Sequence, residues 1–107
     1  MYGEATMTDM TKDRYEAKAR KHGIPDYMID GVVGHVFSGT PTGDFLTAVF
    51  SNNLMEAAIR ADDTNLAKLP AYCRFLYNEC EPKCYGSPAN CKTWRERGGQ
   101  EGILQGN

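Results

Sequence analysis

Four cysteines, two histidines and one dense polar run are the residues whose type and spacing could do chemistry in this chain. Cys73, Cys80, Cys84 and Cys91 are separated by six, three and six residues. Structural zinc sites usually pair thiolates about two to four residues apart, which only Cys80 and Cys84 satisfy. Cys73 and Cys91 would then have to arrive from flanking helices. The competing reading is four free thiols in a reducing compartment, with Cys73 buried on a helix beside Phe75 and Leu76. His35 could serve as acid, base or ligand, but no second histidine stands at ligand spacing and His22 falls at a helix end. Paired histidines, a nucleophile elbow and a local cysteine, histidine and acid pattern are all missing, so catalysis is not expected and no cofactor is implied.

The polar run lies in GTPTGDFLTAVFSNNLMEAAIRADDTN, from Gly39 to Asn65. Its candidate ligand-binding residues are Thr42, Gly43, Asn52, Asn53, Arg60, Asp62 and Asn65. A helix start near Thr40 would offer free N–H groups to a phosphate, Arg60 a forked donor, and the asparagines base or ribose contacts. That set describes a site for a small nucleotide-type ligand. Against it, Asp44 already occupies the first helical turn, and no Walker or Rossmann glycine loop occurs. The same residues also read as helix caps plus an ion pair from Arg60 to Asp62 or Asp63.

These residues must be held by helices. Gly23 closes a first helix that begins at Thr8 or Thr11. A second runs from Pro25 towards Gly39 with Met28, Ile29, Val32, Val33 and Val36 as its apolar stripe, and Gly31 and Gly34 allow close packing. Thr40 as N-cap, Pro41 as first residue and Asp44 in the first turn start a third, whose Phe45, Leu46, Ala48, Val49 and Phe50 form the core. Asn53 and Glu56 form a capping box after a break at Asn52. Another helix follows Asp62 or Asp63 and meets Pro70, and Ser87 with Pro88 starts the last one. The fold class expected is therefore all-α, a small compact bundle of about five or six short helices. Residues 1–107 make a single domain, with 1–7 and 99–107 as flexible ends.

Composition bounds the partners. The chain has 107 residues, 41% hydrophobic and 24% charged, as in an ordinary globular domain. A formal net charge of −2 gives no global attraction to nucleic acid. Neither a membrane-spanning run nor the apolar segment of an export signal is visible, which places the protein in the cytoplasm. A chain this short has little room for a deep pocket, so a sequestering protein would be a homo-oligomer with sites between subunits. A host-protein inhibitor would instead use Met7, Met10, Met28, Met55, Tyr85 and Trp94, with Tyr85 and Trp94 as the exposed aromatic contacts.

IPDYMIDGVV, GTPTGDFLTAVFSNNLMEAAIRADDTN, RFLYNE and CYGSPANCKTW resemble a group of small proteins encoded by tailed phages and prophages. The likeness covers roughly residues 24–98. It is carried by Pro41, Gly43, Phe45, Leu46, Asn52, Asn53, Leu54, Arg60, Ala61, Asp62, Asn65, Gly86 and Ser87. Asn53 stands where the group carries an acid and Tyr85 where it more often has Trp, which weighs against a metal or base role at the first and a fixed stacking role at the second. The resemblance implies an accessory phage protein in the host cytoplasm that acts against host defences or redirects host machinery. Three readings follow: a binder of a nucleotide-type host signal, a protein inhibitor, or a cysteine zinc module that contacts nucleic acid or a polymerase.

Overall fold

Local capping sets the order of the elements in the computed structural model, which describes residues 11–106. Thr11 accepts the Arg14 N–H at 3.3 Å and opens α1, Lys12–His22, which Gly23 closes at φ 93°. Helix α2, Asp26–Val33, passes without a break into a wide π turn, Gly34–Ser38, that ends on Gly39 at φ 70°. The glycines of this segment are packing residues. A Cβ at Gly31 would sit 3.0 Å from Leu46 Cδ1, and one at Gly34 2.7 Å from Thr40 Oγ1.

Helix α3, Asp44–Phe50, starts three residues later than Thr40 and Pro41 predict, with Gly43 as its N-cap. Thr40 is drawn back instead: its N–H donates to the Gly34 carbonyl at 3.0 Å, so 40–43 close the π turn rather than open a helix. Asn52 then takes φ 62°, and Asn53 accepts the Glu56 N–H to start α4, Leu54–Arg60. Asp62 caps α5, Asp63–Ala67, and α6, Leu69–Glu79, carries Pro70 in its first turn. A 3-10 turn, Pro82–Cys84, leads to Ser87, which caps α7, Pro88–Glu96.

Two expectations change here. The described residues form eight α-helices rather than five or six, because Lys68 ends one helix and begins the next and the chain after Gly98 adds a last one. The tail expected to be flexible forms α8, Gly99–Leu104, with Gly99, Gln100 and Gly102 buried. The all-α class stands, with α8 packed on the π turn, α3 on α4, and α1 on both α2 and α6. Ile29, Val32, Val33, Val36, Phe50, Tyr72, Phe75 and Trp94 are the innermost apolar residues. Among the described residues no helix is long and apolar enough to cross a membrane.

Candidate functional site

The polar run predicted to bind a ligand is dispersed by the fold. Asn65 is buried and accepts the Tyr72 hydroxyl at 2.6 Å, while Asp62 accepts both the Tyr27 hydroxyl at 2.6 Å and the Asn65 N–H at 2.7 Å. These bonds form a relay from surface to core. The Tyr27 hydroxyl and the Asn65 N–H hold Asp62 below the usual carboxylate range. Thr42 bonds Thr47, and nothing lies within 4 Å of where a Cβ would stand on Gly43. Arg60 does not pair with Asp62 or Asp63; its partners are Glu56 at 2.9 Å and Asp44 at 3.5 Å. Arg60 and Asn53 do share a shallow groove with Asp44 and Glu56. Two carboxylates there outnumber one guanidinium, so that groove repels rather than gathers a phosphate.

The cysteines do not converge on a metal. Cys80, Cys84 and Cys91 are buried and Cys73 is exposed, against the expectation that Cys73 is buried beside Phe75 and Leu76. Cys73 lies opposite the face of α6 that buries Ala71, Tyr72, Phe75 and Leu76. Among the described residues no group of three or more His, Cys, Asp or Glu side chains could hold a metal ion. Burial pushes the Cys80 and Cys91 thiols up, which keeps them protonated and poor ligands or nucleophiles.

His35 and Trp94 are structural partners. His35 is fully buried and stacked on Phe50 with ring centroids 4.1 Å apart. Its Nε2–H donates to the Cys84 carbonyl at 2.7 Å, which assigns the proton to Nε2 and leaves Nδ1 buried without a partner. Trp94, expected as an exposed contact, is 1% exposed, and its Nε1–H is shared by the His35 and Val36 carbonyls at 3.0 and 3.1 Å. Burial, with Arg95 nearby, holds the His35 pKa below its ordinary value of 6.5. The folded state therefore binds fewer protons than the unfolded chain just below that value. Stability is full above about pH 6.5 and falls as the pH drops through that value towards the depressed folded pKa. Urea midpoints measured from pH 8 to pH 5 should show this fall in the wild type and a flatter profile in His35→Phe; equal slopes would remove His35 as the cause.

A different set of residues frames a cleft of about 430 Å³. One wall is the end of α3 with Val49 and Asn52; the other is the outer face of α6 with Cys73, Arg74, Tyr77 and Asn78; Tyr85 closes one end. Tyr85 is fixed by its backbone, since Asn90 Nδ2 donates to its carbonyl at 2.9 Å and the next N–H, of Gly86, donates to Phe50 O at 2.7 Å. Tyr77 is 80% exposed although it flanks this cleft. Cleft volumes of roughly 300–1,000 Å³ suit small ligands. Scans against protein-family models, curated proteins and solved structures found no match to this chain. The cleft therefore stands on its own chemistry: two phenol rings, one guanidinium and two side-chain amides around an apolar floor. Of the residues predicted to bind, only Asn52 lines it. The missed signal was an i, i+4 pattern on α6, where Cys73 with Tyr77 and Arg74 with Asn78 stack on the face opposite its core stripe.

Proposed function

We propose that this is a non-catalytic binding protein that captures a small, nucleotide-type ligand in the cleft between α3 and α6. The observation that carries the reading is the pairing of Tyr77 and Tyr85 with Arg74 around an apolar floor. Tyrosine faces stack planar bases, a guanidinium donates to phosphate oxygens in fork geometry, and the Asn52 and Asn78 amides suit a base edge. One lining cation fits a ligand of low charge better than a triphosphate. The resemblance to phage accessory proteins supports a host signalling nucleotide as the class of ligand, sequestered in the host cytoplasm.

Titration calorimetry with nucleoside monophosphates and cyclic dinucleotides tests this. Tyr77→Ala should weaken binding by about 5- to 150-fold through lost stacking. Its exposure means that the same change should leave the urea midpoint in place. Arg74→Ala should cost about tenfold or more. If no member of the panel binds, or Tyr77→Ala binds as the wild type does, the reading is lost. A protein-inhibitor reading rests on another feature, the exposed Leu54, Met55 and Ile59 of α4. Of its predicted contacts, Trp94 is in the core, Met28 is partly buried, and Met7 and Met10 lie outside the described residues. Ile59→Glu separates the two, because it should leave nucleotide binding unchanged.

A further inference from the structure

Helix α4 is built inside out. A surface helix normally turns its large apolar residues inward and its charges outward. In α4 the only buried residue is Ala57, whereas Leu54, Met55 and Ile59 are 70%, 73% and 72% exposed. With about 100° between successive residues, Met55 and Ile59 straddle the pole opposite Ala57. Side chains of this size in one outward strip mark a surface that another apolar surface covers.

The charges beside the strip indicate what covers it. Glu56 and Arg60 run along one edge with the same i, i+4 spacing as Met55 and Ile59, and are paired at 2.9 Å. A two-fold axis perpendicular to α4, level with Ala57 and Ala58 and just outside the Met55–Ile59 strip, would place a second α4 antiparallel to the first. Met55 of each copy would then meet Ile59 of the other, and Glu56 of each copy would meet Arg60 of the other on the same edge. The strip is thus complementary to itself in both apolar contact and charge, which an arbitrary protein partner would not require.

We infer that a second copy of this chain docks antiparallel on α4, making a homodimer closed by Met55 and Ile59 and registered by Glu56 and Arg60. The cleft proposed to bind nucleotide has no residue in this strip, so dimer formation and ligand capture are separable. Sedimentation velocity over a concentration series should show a monomer–dimer equilibrium. Ile59→Glu should raise the dissociation constant by about a hundredfold, with an unchanged circular dichroism spectrum. Glu56→Arg and Arg60→Glu should each weaken self-association through like charges at the edge. Mixed together, the two variants should form a heterodimer, because each supplies the sign that the other lacks. Loss of the intrachain Glu56–Arg60 pair cannot produce that rescue on mixing. A wild type that stays monomeric, an Ile59→Glu variant that still dimerises, or a mixture that fails to recover would each overturn the inference.

Discussion

Replacing Trp94 with Ala should destabilise this protein by about 3–5 kcal/mol, much of the roughly 5–15 kcal/mol by which a small domain is folded. The indole is 1% exposed and is the only tryptophan in the chain. Its ring belongs to the buried core cluster, and its Nε1–H ties α7 to the π turn through His35 and Val36. Trp94→Phe separates the two contributions. It keeps a buried aromatic ring while removing the N–H and part of the ring volume, and the His35 carbonyl retains the Gly39 N–H at 3.1 Å. The Phe variant should therefore lose about 1–2 kcal/mol, mainly from the Val36 carbonyl and the smaller ring. Urea unfolding followed by far-ultraviolet circular dichroism checks both, because tryptophan fluorescence is lost in each variant. If Phe were as damaging as Ala, the hydrogen bonds rather than the packing would dominate.

How much of this was legible in the sequence depends on how local each device is. The Gly23 stop, the Asp62 cap and the start at Ser87 each join residues a few positions apart and form as predicted. At Asn53 only the N-cap half of the expected box forms, because Glu56 turns to Arg60 and the Asn53 N–H donates to the Ala48 carbonyl. The predicted start at Thr40 fails because its competitor is the Gly34 carbonyl, freed by a π turn that no pattern announced. Trp94 looked exposed because it stands between polar neighbours in a short helix. What buries it is the approach of α7 to the π turn, a tertiary fact. Arg60 was assigned to the nearest acids downstream, whereas α3 packs on α4 and brings Asp44 to it instead.

The same logic separates the predicted site from the observed cleft. Hydrogen-bonding residues such as Asn65 and Asp62 attract notice in a sequence, yet in a bundle of short helices most are used up at helix starts. Those two are tied into the Tyr27 to Tyr72 relay. The groups left over are on the outer face of α6, where Arg74 and Tyr77 have no helix end to cap. The side chains that a fold of this size does not need for itself are found by subtracting the caps.

Gly99→Ala should be almost as damaging as Trp94→Ala, although it adds a single methyl group. A Cβ at Gly99 would stand 2.5 Å from the Gly39 N and 2.7 Å from the Phe37 carbonyl carbon and oxygen, all backbone atoms that cannot swing away. Its φ of 70° adds the strain of a left-handed alanine. Together the backbone strain and the overpacking should cost about 2–5 kcal/mol, enough to lift α8 from the π turn. Gly31→Ala is the matched control. Its Cβ would meet only the Leu46 Cδ1, at 3.0 Å, the flexible end of a side chain, and the helix gains about 0.5–1 kcal/mol from alanine. That variant should stay within about 1 kcal/mol of the wild type. Hydrogen exchange locates the damage: the amides of 99–104 should lose protection in Gly99→Ala, with those of α6 less affected. Retained protection there would mean that α8 and the π turn can separate by a few tenths of an ångström at little cost, and that the close approach of Gly39 and Gly99 does not hold the C-terminal helix.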